Sequence, residues 1–300
     1  MEEFVQHIIN GLSVGSIYAL IALGYTMVFG VLQLINFAHS DVFMLGAFIA
    51  YYVSHALKLA DNPSILSLGI ALASSMVGCA IIGYTIERFA YRPLRHSPRI
   101  NVLITAVGVS LFLEFSGQVV FGSSPKLFPE IYKPAGSLML WDLTINPLQL
   151  IVLGICCVLM AVLQFVIFRT RIGRAMRAVS FSHDNASLMG IPTNLVISFT
   201  FMLGSALAGA AGVLVGLIYP KIEPLMGVML GLKCFVSAVL GGIGHIQGAV
   251  IGAITLGMSE EMLVGYGSPA FRDALAFVVL ILILLLKPSG LFGVNRVEKV

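Results

Sequence analysis

Long runs of apolar residues alternate with short polar stretches along this chain of 300 residues. A helix needs about 20 predominantly apolar residues to cross the hydrocarbon core of a bilayer, and several runs reach that length. We therefore predict an all-α polytopic membrane protein with apolar segments at residues 8–31, 42–52, 64–86, 101–121, 148–168, 195–219, 225–240, 249–264 and 270–286. The short segments next to Asn36 and Gly242 are candidates for broken or re-entrant helices, so we expect eight to nine transmembrane helices.

The composition excludes a soluble globular protein. Hydrophobic residues make up 58% of the chain and charged residues only 10%, whereas soluble domains have about 25% charged residues; the mean hydropathy is +1.00. The net charge is only +3, which argues against a nucleic-acid partner. The four cysteines lie inside apolar runs and lack the spacing of a disulfide or metal site. We expect residues 1–300 to form a single transmembrane domain that holds no metal and no cofactor of its own.

The distribution of Lys and Arg predicts the orientation in the membrane, because basic short loops face the cytoplasm. The loops at 87–99 and 169–192 each contain four arginines, and the C-terminal tail contains Lys287, Arg296 and Lys299. The loop at 122–147 has balanced charges and fits the outer side. The N-terminus is therefore predicted to be external and the C-terminus cytoplasmic.

The stretch NFAHSD, from Asn36 to Asp41, places four polar residues beside an apolar segment, where they are costly in hydrocarbon. One interpretation is the start of a half-helix that lines an aqueous pathway and turns its free N–H groups to a solute. The alternative is an interfacial turn in which Ser40 or Asp41 merely caps the following helix. The spacing alone leaves both open.

A second break is predicted at LGGIGHIQG, residues 240–248, where four glycines permit tight turns. Aligning His39 with His245 gives a weak internal repeat, and paired broken helices are the usual location of a transport pathway. His245 has no second metal ligand nearby, so we interpret it as a loop histidine. The chain contains no G-x-x-x-x-G-K-[ST] motif, which excludes ATP hydrolysis by a P-loop.

Small residues recur at every fourth position in one segment, at Gly204, Ala208, Gly212 and Gly216. This spacing predicts a smooth helix face against which a neighbouring backbone packs closely. The pairs Gly11 with Gly15 and Gly248 with Gly252 predict the same arrangement on a smaller scale.

Carboxylates inside the spans would favour an ion-coupled secondary transporter. Glu260 and Glu261 fall near a predicted helix end, so we expect them at the interface, whereas Glu114 lies deeper without an assigned partner. A membrane-embedded enzyme would need a cluster of nucleophiles or metal ligands, and the sequence provides none.

The polar loop at 169–192 interleaves arginines with apolar residues. This pattern is typical of a short amphipathic helix that docks on another protein, and Gly190 and Pro192 provide a helix stop. The alternative is a solvated loop whose arginines only fix the orientation. We favour docking.

The motifs resemble those of one transporter family along nearly the whole chain. They are GSIYALIALGYTMVFGVLQLINFAH, IERFAYRPLR, GRAMRA followed by ASLMGI, GLKCFVSAVLGGIG, and the terminal VEKV. With these motifs the chain is similar to the LivH-type permeases of bacterial high-affinity branched-chain amino-acid ABC importers.

The resemblance implies the ABC importer permease fold and a non-catalytic subunit in the bacterial inner membrane. In this family the permease pairs with a homologous second permease. Two cytoplasmic ATPases bind ATP and Mg, and a periplasmic binding protein delivers leucine, isoleucine or valine. Related permeases carry urea, short amides or other neutral amino acids, and the sequence leaves these substrates open.

The resemblance also implies site residues. The segment 174–190 matches the coupling loop that docks on an ATPase, which assigns this contact to Arg174, Arg177, Ala178, Asp184, Ala186, Leu188, Met189 and Gly190. Ser182 stands where such loops usually have an acid, and Asp184 is expected to replace it. A pathway for a zwitterion with an apolar side chain needs few charges, backbone dipoles and small residues, and its candidates are Asn36, His39, Ser40, Asp41, Gly241 and Gly242. In this region Ser40 replaces a family glycine, and His245 and Gln247 depart from the family pattern, so neither of the latter is assigned a substrate contact.

Overall fold

The computed structural model describes residues 2–33, 35–95, 97–134, 138–140 and 143–293. Arg296, Lys299 and the VEKV motif lie outside the described residues. Within them the α-helices are α1 Glu2–Leu32, α2 His39–Ala56, α3 Ile65–Ile86, α4 Arg99–Phe121, α5 Pro147–Arg169, α6 Arg171–Phe181, α7 His183–Leu188, α8 Thr193–Ile218, α9 Met226–Gly241, α10 Ile246–Tyr266 and α11 Arg272–Leu286. A π-helix at Glu87–Tyr91 continues α3, and 3₁₀ turns occupy Leu59–Asp61, Arg92–Leu94 and Pro269–Phe271.

The prediction of an all-α polytopic membrane protein is confirmed. Among the described residues, seven helical segments are long and apolar enough to span a bilayer: Glu3–Leu32, Ile65–Leu94, Ile100–Phe121, Pro147–Arg169, Thr193–Ile218, Ile246–Tyr266 and Pro269–Leu286. The other two predicted segments are the shorter helices α2 and α9, of 18 and 16 residues. These two helices flank the predicted breaks, since α2 follows Asn36 and α9 precedes Gly242.

Two small antiparallel strand pairs lie in the predicted outer loops, and the sequence patterns did not indicate them. Strand β1, Lys126–Leu127, pairs with β4, Lys221–Ile222. Strand β2, Leu138–Leu140, pairs with β3, Leu143–Ile145. The first pair joins loops that are almost a hundred residues apart, so it connects the outer ends of α4 and α8.

Helices α1 and α8 form the centre of the bundle, and their glycines allow it. A Cβ atom built on Gly15 would lie 2.8 Å from the Cα of Ile254, and one on Gly11 would lie 2.8 Å from the Cα of Met258, so α1 and α10 pack antiparallel with their backbones in contact. Gly212 of α8 similarly leaves no room for a side chain beside the backbone of α2. The predicted close packing at small residues is therefore confirmed.

We predict that Gly15→Leu disrupts this packing, because the added side chain must displace the backbone of α10, and overpacking of a dense core is destabilising by about 1–3 kcal/mol or more. The yield of monodisperse protein in detergent and its melting temperature measure the effect. Gly108→Leu is the matched control, because a Cβ on Gly108 meets no atom within 4 Å. Equal yields and melting temperatures of the two variants would contradict the prediction.

Candidate functional site

The start of α2 lies inside the bundle. The His39 side chain fills the space beside Gly24 of α1, where a Cβ would overlap its imidazole ring. Gly24 lies eight residues before the end of α1 at Leu32, which corresponds to about 12 Å of helix. The His39 ring is only 1% exposed and meets the Tyr25 ring edge-on, with 4.8 Å between the centroids. Helix α2 therefore begins at depth rather than at the end of its neighbour.

The polar residues at this start do not act as helix caps. The residue at the N-cap position is Ala38, and no side chain accepts a hydrogen bond there. The Ser40 hydroxyl donates to the Phe37 carbonyl at 2.9 Å, and Asp41 Oδ2 accepts a hydrogen bond from Ser110 of α4 at 2.5 Å. The alternative of an interfacial capping turn is thus excluded by both position and contacts.

Two buried polar atoms at the start of α2 have no hydrogen-bond partner within the described part of the chain. They are Nε2 of His39 and Oδ1 of Asp41. Asn36, by contrast, is satisfied, because its Oδ1 accepts a hydrogen bond from the Tyr91 hydroxyl at 2.6 Å. A buried polar atom without a partner is costly, so this site retains unused capacity to bind a polar group.

Gly241 and Gly242 contact other parts of the chain than the residues at the start of α2 do. Gly241 packs on the backbone of Gly248, and its carbonyl accepts a hydrogen bond from the amide of Phe292 at 3.1 Å. Gly242 has a φ of 103° and packs against residues 289–293. These contacts place the two glycines beneath the C-terminal segment, residues 289–293, rather than beside His39. Their assignment to a translocation path stays a prediction.

His245 is a helix cap, consistent with its interpretation as a loop histidine. Its Nδ1 accepts a hydrogen bond from the amide of Gly248 at 2.9 Å, which caps the N-terminus of α10.

The loop at 169–192, which is predicted to be cytoplasmic, consists of two helices with different surroundings. Thr170 caps α6 and Ser182 caps α7. Helix α6 is amphipathic, as predicted, but it buries Gly173, Met176 and Val179 against its own bundle, while Arg171 and Arg174 are exposed. Ala178 is partly buried.

Arg177 is turned toward the end of α5. Its guanidinium donates to the Ile167 carbonyl and lies 5.5 Å from the centroid of the Phe168 ring.

Helix α7 projects apolar residues away from the bundle. Ala186 is buried and fixes α7 to the protein, whereas the side chains of Leu188 and Met189 are 83% and 82% exposed. Asp184 is also exposed. Gly190 follows with a φ of 78°, the left-handed conformation that ends many helices. Leu188 and Met189, next to this glycine, and Phe181 at the end of α6 are therefore the strongly exposed large apolar residues of the loop.

A contact that the sequence analysis missed joins α7 to α1. His183 Nε2 lies 2.8 Å from the carbonyl oxygen of Val31, and the carbonyl group makes the histidine the donor. Val31 is the penultimate residue of α1, where carbonyls lack partners within the helix. A single histidine within a polar loop gives no signal in the sequence that it contacts the end of α1.

The loop at 87–99 contains a buried ion pair and not only orienting charges. Glu87 is fully buried and binds both the Arg95 guanidinium and the Ser198 hydroxyl of α8. Arg95 also donates to Asn194 Oδ1 at 2.6 Å. Burial lowers the pKa of the Arg95 guanidinium, and the adjacent Glu87 opposes that shift. This pair fixes the π-helix Glu87–Tyr91, from which Tyr91 reaches Asn36.

Glu260 and Glu261 are both buried in a network of charges that the sequence analysis did not predict, and their expected position at the membrane interface stays a prediction. The Nζ of Lys233 lies 3.2 Å from Glu260 Oε1 and 2.7 Å from Asp273 Oδ1. Arg272 binds both glutamates. The Tyr18 hydroxyl donates to Glu260 Oε2 at 2.9 Å. These residues come from α1, α9, α10 and α11, and residues so far apart in sequence give no pattern that predicts their meeting.

Glu114 is partly buried on α4 and makes no hydrogen bond or ion pair with the other described residues.

Comparisons with a family model and with individual proteins agree on one family. Residues 7–284 match the family model described as the permease component of the branched-chain amino acid transport system. The chain is 40% identical to the high-affinity branched-chain amino acid transport system permease protein LivH of Salmonella typhimurium over 304 residues, which cover 99% of this chain and 98% of LivH. It is also 40% identical to BraD of Pseudomonas aeruginosa over 302 residues, with the same coverage, and 26% identical to a probable LivH of Methanocaldococcus jannaschii over 93% of this chain and 90% of that protein. No solved structure matches the chain.

We predict that Lys233→Met destabilises the protein by about 3–5 kcal/mol, because it leaves a buried carboxylate poorly paired. The double variant Lys233→Met with Glu260→Gln should recover much of this loss, since neither charge then remains. Chemical unfolding in detergent measures the free energies. Lys221→Met is the control, because its pair with Glu223 is exposed and such pairs contribute about 0–1 kcal/mol. If the losses in unfolding free energy of Lys233→Met and Glu260→Gln simply add in the double variant, a direct interaction between the two side chains is contradicted.

Proposed function

The chain belongs to the family of permease components of branched-chain amino acid transport systems, and we propose that it is the membrane-spanning subunit of an ATP-driven importer that carries leucine, isoleucine and valine into the cytoplasm. The near full-length similarity to LivH and BraD carries the proposal. The chain itself is non-catalytic and lies in the inner membrane. A second homologous permease completes the pathway, two ATPase subunits bind ATP and Mg, and a periplasmic binding protein delivers the substrate.

The start of α2 supports a role in translocation. A branched-chain amino acid carries a carboxylate and an ammonium group beside an apolar side chain. The unpartnered side-chain atoms of His39 and Asp41 offer polar contacts to such a molecule within a largely apolar bundle. In our proposal these residues form part of the path, and selectivity rests mainly on the binding protein.

Helix α7 supports a contact with an ATPase subunit. Leu188 and Met189 form an exposed apolar pair on a polar cytoplasmic loop, and exposed apolar groups of this kind favour a protein partner. Asp184 and Gly190 lie beside them. In our proposal α7 makes the central contact, and Arg174, Arg177, Ala178 and Ala186 support it from α6 and from the buried side of α7.

Two hydrogen bonds support a route from this contact to the start of α2. His183 at the start of α7 binds the carbonyl of Val31, so a displacement of α7 acts on the end of α1. Residues 33–38 follow directly and lead to His39. On their other side, Tyr91 holds Asn36. We infer that ATP binding by the partners shifts the permease between two access states through these contacts.

We predict that proteoliposomes containing this chain and its co-purifying subunits take up leucine only when ATP is present on the cytoplasmic side and the binding protein is present on the outer side. Competition by isoleucine and valine, but not by urea or short amides, should identify the substrate class. Radiolabelled uptake is the measurement.

Liposomes lacking the ATPases are the control. Uptake by this chain alone under a proton gradient would overturn the importer proposal and assign the transport to Asp41 and Glu114. Uptake of urea or amides with the same ATP dependence would retain the importer and reject the branched-chain specificity.

We predict that loss of the ATPase contact at Leu188 and Met189 and loss of the hydrogen bond from His183 to α1 cause different defects. Leu188→Ser with Met189→Ser should weaken ATPase association about tenfold or more, since it removes the exposed apolar pair. His183→Ala should leave association unchanged but lower the ATP hydrolysis stimulated by the binding protein, since the hydrogen bond to α1 is lost. Co-purification and hydrolysis rates separate the two effects.

Asn185→Ala is the matched control on α7, because the Asn185 side chain is exposed and only its backbone amide takes part in the helix cap. If His183→Ala and Asn185→Ala show the same ATP hydrolysis stimulated by the binding protein, the proposed route through the His183 hydrogen bond is rejected.

A further inference from the structure

A cavity of about 400 Å³ lies at the cytoplasmic ends of α1 and α5. Helix α6 and the turn at 244–247 close its sides. Its buried floor is mostly apolar, formed by Met27, Val31, Ile167 and Met176, with Thr26 beside them. At its mouth are the exposed side chains of Arg177, Phe168 and Gln247. The cavity thus combines an apolar floor with a cationic rim.

The mouth lies at the level of the membrane surface. Helix α5 is a candidate span that ends at Arg169, and α6 begins two residues later at Arg171. On the face of α5 that is turned away from the bundle, Phe165 and Phe168 are exposed, as expected for side chains that face lipid. The basic residues of the loop assign this surface to the cytoplasm. A molecule that reaches the cavity from the side is therefore a lipid of the inner leaflet.

The charge at the mouth selects an anion. None of the cavity's lining residues is Asp or Glu, so the ammonium group of an amino acid would find no countercharge there. The Arg177 guanidinium uses one contact on the Ile167 carbonyl and keeps further N–H donors. The Gln247 side-chain amide, also at the cavity, adds hydrogen-bond donors. A phosphate group meets these donors, and an aliphatic chain fits the floor.

We propose that this cavity binds an anionic phospholipid of the cytoplasmic leaflet, with the phosphate at Arg177 and an acyl chain on Met27, Val31 and Met176. Basic pockets between helices on the cytoplasmic side are suited to anionic headgroups. Because α6 forms one wall, the lipid stabilises the position of α6 and of α7 directly after it. The site is separate from the start of α2 and does not depend on which substrate the permease carries.

The test is the binding of phosphatidylglycerol to the full-length chain, measured by native mass spectrometry and by a brominated lipid that quenches a fluorophore placed on α6. Wild-type protein should bind phosphatidylglycerol in preference to phosphatidylcholine. Arg177→Gln should weaken binding about fivefold, the factor expected for one basic residue at an anionic surface. Arg171→Gln should have little effect, because Arg171 is exposed on α6 and does not line the cavity.

A second variant tests the cavity independently of charge. A Cβ on Gly30 meets only Gly244, at 3.9 Å, and Gly30 lines the cavity, so Gly30→Leu fills it without a backbone clash. This variant should also lose phosphatidylglycerol while keeping all four arginines. Equal losses of phosphatidylglycerol binding in Arg171→Gln and Arg177→Gln would show nonspecific attraction to the basic surface and overturn the proposal. Unchanged binding in Gly30→Leu would also overturn it. Displacement of the lipid by free leucine would overturn it in favour of an amino-acid site.

Discussion

The close approach of α1 to α8 and α10 is the constraint on which the remaining structure depends. Without a hydrophobic force between helices in lipid, association relies on tight packing of small residues. Gly11 and Gly15 bring α10 against α1, and Gly24 makes the space that the His39 ring fills. A side chain at Gly24 would overlap the His39 ring, so the glycines of α1 make room for the polar stretch as well as for the helices.

Buried polar groups are costly in this environment, and the protein satisfies most of them through residues from distant helices. Lys233 and Arg272 neutralise Glu260 and Glu261 between α9, α10 and α11, and Arg95 neutralises Glu87 just after the C-terminal end of α3. The start of α2 differs, because polar atoms of His39 and Asp41 have no partner among the described residues. Ser13, Thr26 and Ser54 also have buried hydroxyl groups without a partner, so the start of α2 is distinguished by two such atoms within one polar stretch.

The loop at 169–192 forms two short helices with different contacts. Helix α6 packs on the bundle through Met176 and Val179 and turns Arg177 toward the end of α5, whereas Leu188 and Met189 at the end of α7 are exposed. Since His183 ties α7 to the last turn of α1, the surface available to a partner is mechanically continuous with the residues that precede α2. The arginines of the loop therefore differ in surroundings, although the sequence presents them as one cluster.

The sequence by itself determined the membrane class, the nine apolar segments, the positions of both breaks and the family, because hydrophobic length and local motifs are properties of contiguous residues. It also located the polar stretch at Asn36–Asp41 and the exposed end of α7. Only the tertiary structure decided that Gly241 and Gly242 pack under the C-terminal segment, that Glu260 is buried, and that Tyr91 and His183 hold the residues on either side of the break. These outcomes depend on which helices become neighbours, and partners separated by tens to hundreds of residues leave no local pattern by which their meeting could be predicted.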